Sequence, residues 1–169
     1  MQTLTLPFTD DAVRALKVGD PMALTGVMVT GRDAVHKWMI DTFIRQTRAP
    51  QGDDLKVYEA IKPLLAGSAI YHCGPVVSGL DTKQYKFVAA GPTTSIREEP
   101  YQGDVMRHFK IKGVIGKGGM GAQTLAACGE VPGVYLHAIG GAASLIAQTG
   151  TKVDRHARKR DAAWNAKQV

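Results

Sequence analysis

The sequence predicts an α/β domain, and three observations carry that reading. Short runs rich in aromatic and β-branched residues recur along the chain, several of them end in glycine-containing corners, and helical segments lie between some of them. The 169 residues, 44% of them hydrophobic, are enough for one ordinary domain with a real core. Its 19 glycines exceed the average and cluster at the ends of the predicted strands, which fits an α/β protein with functional turns. With no internal repeat, low-complexity segment or linker, residues 1–150 read as one domain. A basic tail of helical character, 151–169, follows it.

Taken in order, Phe8 to Leu16 carries Asp10 and Asp11 early and Arg14 late, as a short helix does, and Gly19-Asp20 closes it. Met22 to Thr30 reads as one or two strands, with Gly26 as a bulge or bend. Gly31-Arg32-Asp33-Ala34-Val35-His36-Lys37 is a strand-to-helix corner holding a cation, and it leads into an amphipathic run through Trp38, Met39, Ile40, Phe43 and Ile44. Arg32 could equally pair with Asp33, and His36 could equally be a packed or capping histidine. Gln51 to Lys56 reads as a polar loop, and Val57 to Leu65 is ambiguous.

Ser68 to His72 is a strand ending at Cys73-Gly74-Pro75. His72 and Cys73 do not make a nucleophile pair, because adjacent strand residues point to opposite faces. Cys73 reads as small packing volume. A hairpin-like turn at Ser78-Gly79-Leu80-Asp81 leads to a strand over Tyr85 to Ala90.

Gly91-Pro92-Thr93-Thr94-Ser95-Ile96-Arg97 breaks that strand with three hydroxyl residues in a row. Such a composition suits a helix start, where backbone N–H groups lack partners and attract anions. Arg97 adds a fork of donors shaped for a carboxylate or phosphate. A plain cap with a surface arginine has the same spacing. Met106 and Phe109 then lie at helical spacing, and Phe109 to Ile115 reads as a strand. The next corner, Gly116-Lys117-Gly118-Gly119-Met120-Gly121, places a lysine among glycines. It is not a nucleotide phosphate loop, since Gly118 stands where such a loop needs Ser or Thr. Ala122 to Cys128 follows as a small-residue helix, then a strand over Val131 to Ile139, Gly140-Gly141, and a helix over Ala142 to Gln148. His137, inside the last strand, reads as a core or rim histidine.

The net charge of +6 does not indicate nucleic acid, because much of the excess sits between Lys152 and Lys167 and no aromatics interleave with it. No apolar run reaches the ~18 residues of a membrane span, and the first residues lack the features of a signal peptide. Two cysteines without a CxxC spacing suit neither a disulfide scaffold nor a metal knuckle. A cytoplasmic protein with neither membrane nor nucleic-acid partner is the expectation. In open α/β sheets ligands gather at the carboxyl ends of strands. Arg32, Thr93 with Arg97, and Lys117 would lie there, which suggests a small polyanion such as a dicarboxylate or a phosphate ester.

The blocks Gly31 to His36, Tyr71 to Pro75, Gly91 to Arg97, Gly116 to Met120 and His137 to Ala143, in this order, resemble the β subunit or C-terminal domain of class I iron–sulfur fumarase and L-tartrate dehydratase. The resemblance covers roughly Leu6 to Gln148. It implies a three-layer β/β/α swivelling domain within the α/β class. It also implies a partner α subunit that carries a [4Fe–4S] cluster, which this chain does not hold itself, in a homo- or hetero-oligomer. Carried over residue by residue, Arg32, Arg97 and Lys117 would grip the substrate carboxylates, and Thr93 would be the base. His36 would be a further substrate-side residue. The reaction implied is the reversible dehydration of a 2-hydroxy dicarboxylate, fumarate/malate interconversion in the simplest case, with L-tartrate and mesaconate-type substrates as alternatives.

Two features depart from the family pattern. Glu98-Glu99 follows Arg97 where a methionine is common, and the acids could tune substrate preference or face solvent. Beyond Gln148, where members continue with a β-containing segment, the chain has the basic run 153–160 and the tail. A non-catalytic dicarboxylate-binding or regulatory domain is the competing reading.

Overall fold

The computed structural model describes residues 2–79, 81–82, 84–149, 152–158 and 163–168, the last two stretches as backbone only. The chain opens with strand β1 (Gln2–Thr5) and helix α1 (Asp10–Arg14). Thr9 caps α1 by accepting a 3.2 Å hydrogen bond from the Ala12 N–H, and the acids of its first turn complement the helix dipole. Strands β2 (Met22–Thr25) and β3 (Val27–Thr30) are separated by Gly26. Gly26 has φ of 126°, and a β-carbon there would lie 2.8 Å from that of Leu6, so only glycine serves both the bend and the close approach.

Helix α2 (Asp33–Met39) runs on into a π-helical turn, Ile40–Ile44. Helix α3 (Asp54–Leu65) spans the segment that the sequence reading divides between a loop and an ambiguous stretch. Its start is fixed by Asp54, buried and bonded to Trp38 Nε1 (3.1 Å), Arg48 Nη2 (2.8 Å) and the Gln51 N–H (2.8 Å). Pro63 is tolerated within the last turn, and Ile61 and Leu65 fill the core one turn apart.

Strand β4 (Ala69–Tyr71) is followed by the antiparallel ribbon of β5 (Val76–Ser78) and β6 (Lys86–Ala89). The predicted turn at Ser78 to Asp81 falls partly outside the described residues, at Leu80. After a 3-10 turn (Ser95–Glu98) come α4 (Glu99–Phe109), β7 (Gly113–Gly116), α5 (Ala122–Glu130), β8 (Val134–His137) and α6 (Ala143–Thr149). Strands β3, β4, β7 and β8 are all parallel, so their carboxyl ends share one edge of the sheet.

The pleat of that sheet sorts its side chains into two cores. Val29, Ile70 and Val114 are in register and pack among Val35, Met39, Ile61, Leu65, Val105, Met106 and Phe109 of the helices. On the other face Met28, Ala69, Tyr71 and Ile115 meet Leu4, Leu6, Val13, Ala90 and Ala147, which belong to β1, the β6 region, α1 and α6. Each large apolar side chain fully buried this way contributes about 1.5–3 kcal/mol. The result is the expected α/β layering, with helices α2 to α5 on one side of the sheet and the small ribbons on the other.

The tail departs from the sequence reading. Residues 152–158 and 163–168 run as strands β9 (Lys152–Arg158) and β10 (Ala163–Gln168), not as a helix. Strand β10 pairs antiparallel with β3, from Asn165 opposite Thr30 to Gln168 opposite Val27, and β9 pairs outside it. Without that pairing β3 would present an open row of N–H and C=O groups, which is the physical reason a strand is favoured there. No helix among the described residues is long and apolar enough to cross a membrane.

Candidate active site at the carboxyl edge of the sheet

The site forms where two neighbouring strands part. Beyond Tyr71 and Ile115, β4 and β7 diverge after a last bond from the His72 N–H to the Ile115 carbonyl (2.8 Å). The segment Thr93–Ser95 enters the gap. The Thr93 N–H donates to the His72 carbonyl (2.8 Å), the Lys117 N–H donates to the Thr93 carbonyl (3.2 Å), and the Ser95 N–H donates to the Lys117 carbonyl (2.9 Å). Thr93 and Lys117, 24 positions apart in sequence, are thus held side by side by their backbones.

Around this pair the other corners close in. The Arg32 stem lies against Gly74, where a β-carbon would stand 2.9 Å from Arg32 Cδ. The Lys117 stem passes Gly140, whose added β-carbon would be 3.3 Å from Lys117 Cδ. Gly91 backs onto Ala143 of α6, and the Ala90 N–H donates to the Ala143 carbonyl (2.9 Å). Thr93 is half-buried. Arg97, on the 3-10 turn beyond it, and Lys117 are exposed and make no ion pair among the described residues. Arg32 is partly exposed, and its Nε stands 3.7 Å from the Asp33 carboxylate. The edge therefore carries three cations with little internal neutralisation, a setting that favours a small anion. His137 is exposed on the same edge, at the end of β8, and not in the core.

His36 does not face this surface. It is fully buried, so the substrate-side placement implied by the resemblance is corrected: its ring belongs to a network beneath the site. The side-chain amide of Gln102, on α4, lies 2.9 Å from His36 Nε2 and 2.8 Å from His72 Nε2. His36 Nδ1 lies 3.0 Å from the Arg32 carbonyl and so carries the hydrogen it donates there. Burial lowers the pKa of His36, and burial with the nearby His36 ring lowers that of His72 to about 3, which keeps both rings neutral. It is Oε1 of Gln102 that faces both Nε2 atoms, and the amino group of the same side chain is buried with no hydrogen-bond partner. Ser95 Oγ accepts from the Lys117 N–H (3.1 Å) and the Tyr135 hydroxyl (3.1 Å), which fills its two lone pairs, and its own hydrogen is left to donate to His72 Nδ1 (2.9 Å).

The two acids after Arg97 do not point to solvent. Glu99 accepts from the Gly121, Gln123 and Thr124 N–H groups and from Thr124 Oγ1, at 2.7–3.2 Å, and so caps α5. Glu98 is fully buried, and neither carboxyl oxygen has a hydrogen-bond partner. The Gln102 network was absent from the sequence reading of the site, and the burial of Glu98 was not foreseen there. A glutamine at helical spacing from Glu98 and Glu99 is too common a pattern to have revealed either.

Among the described residues, no three His, Cys, Asp or Glu side chains gather in a way that could hold a metal ion. The two cysteines belong to opposite faces of the sheet, Cys73 within the ribbon-side core and Cys128 against the helix-side core, so they do not fit as joint ligands of one cluster.

An α/β chain with its cations and a threonine gathered at the carboxyl edge of a parallel sheet is the class that fold and site define. The chain belongs to the fumarase C-terminus family, whose model matches residues 2–157. It is 49% identical over 145 residues to a protein provisionally named class I fumarate hydratase from Geobacillus stearothermophilus, covering 86% of this chain and 25% of that protein. It is 33% identical over 144 residues to the L(+)-tartrate dehydratase subunit beta of Escherichia coli (strain K12), covering 85% of this chain and 64% of that subunit. A protein provisionally named L(+)-tartrate dehydratase subunit beta from Methanocaldococcus jannaschii is 34% identical over 146 residues, with 86% and 68% covered. The chain thus spans about a quarter of the first relative and just under two thirds of the second.

Proposed function

We propose that this chain is the substrate-gripping and proton-removing half of a hydro-lyase that reversibly dehydrates a 2-hydroxy dicarboxylate, with fumarate/malate interconversion as the reaction. The observation that carries this is the insertion of Thr93–Ser95 between the ends of β4 and β7, which sets Thr93 beside Lys117. In this proposal Arg32, Arg97 and Lys117 are the carboxylate ligands, guanidinium forks and an ammonium being suited to that task. Thr93 takes the proton from the carbon adjacent to the one that loses hydroxide. A threonine is a weak base at its ordinary pKa, so this role depends on neighbouring positive charge and a closed, dry site.

The remaining half of the chemistry belongs to a partner. In this proposal a [4Fe–4S] cluster, held by an α subunit, supplies the Lewis acid toward the departing hydroxyl. This chain's cysteines do not fit such a cluster, so what it contributes is grip, orientation and the base. The beta-subunit names of two relatives favour a heteromeric assembly, and a cytoplasmic setting is part of the proposal.

The test is fumarate hydration, followed anaerobically with this chain alone, with the cluster-loaded α subunit alone, and with both. Activity in the mixture only, lowered about 100-fold or more by Thr93→Ala, supports the reading. Activity on L-tartrate or mesaconate instead reassigns the substrate. No activity on any of the three, with complex and cluster intact, leaves a dicarboxylate-binding domain as the better account.

A further inference from the structure

Strand β8 runs beside β7, with Tyr135 opposite Val114. Like Val114, Tyr135 turns to the helix side of the sheet, where its ring packs against that core. Its hydroxyl donates to Ser95 Oγ (3.1 Å) and accepts from the Gly119 N–H (3.2 Å). One side-chain atom thus bonds both the inserted segment and the glycine loop that follows Lys117.

That loop has little else to hold its middle. Gly118 and Gly119 have φ of 85° and 91°, and a β-carbon added at either would meet nothing within 4 Å. Glycines without packing around them have wide backbone freedom. The ends of the loop are fixed. The Lys117 N–H donates to the Thr93 carbonyl (3.2 Å) and lies 3.1 Å from Ser95 Oγ, and the Gly121 N–H donates to the Glu99 carboxylate (2.8 Å). Between those ends, the bond to Tyr135 is the one hydrogen bond that reaches Gly118 or Gly119 among the described residues.

We propose that Tyr135 is a positioning residue for Lys117, its hydroxyl fixing the loop so that the ammonium stands where a substrate carboxylate meets it. This rests on the dicarboxylate reading given above. The Lys117 stem is a flexible four-carbon chain, so the place of its charge depends on the backbone it leaves from. Packing holds the phenol ring, which makes its hydroxyl a fixed point; a water molecule there would satisfy the Gly119 N–H without fixing its direction. A loop spread over several conformations is competent for only a fraction of the time, and its apparent affinity falls by that fraction.

The experiment is a double-variant cycle on succinate affinity, by calorimetric titration of the full chain assembled with its α subunit. The four proteins are wild type, Tyr135→Phe, Lys117→Met and the pair. Tyr135→Phe keeps the ring, removes the hydroxyl and should weaken binding about 5- to 10-fold. In the Lys117→Met background the same change should cost less than about 2-fold, because the residue it acts through is gone. In the hydration assay Tyr135→Phe should raise KM with kcat nearly unchanged. In the full chain alone, amide exchange over 117–121 should be about 10-fold faster in Tyr135→Phe, a readout that needs no ligand. Unchanged affinity, unchanged loop exchange, an equal loss in both backgrounds, or a fall in kcat with KM unchanged overturns the proposal while the dicarboxylate reading stands. Succinate binding that Lys117→Met leaves intact overturns it together with the role given to Lys117. No succinate binding by the wild type overturns both readings.

Discussion

Glu99 and Thr124 meet at 2.7 Å, carboxylate to hydroxyl, and the same carboxylate receives three N–H groups from the first turn of α5. A residue four positions past Ser95 thereby ties the floor of the candidate site to a helix more than twenty positions away. Glu99→Ala leaves those donors without an acceptor and should cost about 2–3 kcal/mol, the range for hydrogen bonds to a charged group. At about 2–4 °C per kcal/mol for a chain of this size, the loss is readable in thermal unfolding. Burial raises the Glu99 pKa, but the bonds from Thr124, Gly121 and Gln123 together outweigh it and hold the carboxyl below the ordinary range. A depressed carboxyl contributes stability above its unfolded value, ~4.3, and loses it as pH falls through the folded one. The gap between wild type and Glu99→Gln should therefore be full at neutral pH and close in acid.

The two buried histidines should make the fold acid-sensitive. Both are held neutral in the folded state, while unfolded imidazoles take a proton near pH 6.5. Below that value the unfolded chain binds more protons, so stability falls as pH drops, by up to about 1.4 kcal/mol per pH unit for each ring. Urea midpoints stepped from neutrality down to about pH 4 should show this slope, and His72→Gln should make it shallower.

Glu98 acts with the opposite sign over part of the same range. Its folded pKa is raised, so it costs stability as pH climbs from its unfolded value, ~4.3, through the folded value of about 7. Glu98→Gln should be more stable than wild type at pH 8 and little changed near pH 4. It should also expose the full histidine slope in between. Urea unfolding of both proteins across that interval decides it, and a Glu98→Gln that loses stability at pH 8 contradicts the burial argument.

The sheet and its edge were legible because their signals are local. Runs of β-branched and other apolar residues at Val27 to Thr30 and Ser68 to His72, and glycines at Gly31, Gly74, Gly91 and Gly116, mark strands and the corners that end them. Helix α3 was obscured by Pro63 and by the polar start around Asp54, whose carboxylate is satisfied by Trp38 and Arg48 through tertiary contact alone. His36 reached Gln102 across 66 positions and His72 reached it across 30, so no spacing rule could join them. The tail ran against its local composition because the open edge of β3, a non-local feature, decides its pairing. Residues whose role depends on one long-range partner were the ones sequence reasoning misplaced.

The contact between Gly116 and Ser95 is the tightest constraint on the proposed base. A β-carbon at Gly116 would fall 1.8 Å from Ser95 Oγ and 3.1 Å from His72 Nδ1, so Gly116→Ala must push the inserted segment out of its gap. That overpacking should cost about 1–3 kcal/mol and displace Thr93, whose carbonyl is bonded to the Lys117 N–H. Ser95→Gly alone removes the hydroxyl that Lys117 and Tyr135 donate to and that bonds His72, and should cost a similar amount. Combined, the two changes relieve the clash, so the double variant should be more stable than the sum of the singles predicts, by about 1 kcal/mol or more. In the assembled complex, kcat of Gly116→Ala should fall further than its stability loss explains, because a misplacement of about 1 Å can cost 100-fold. Urea unfolding and kcat measured on the two singles and the double check this. Strict additivity in stability would show that Gly116 and Ser95 do not share the space assigned to them.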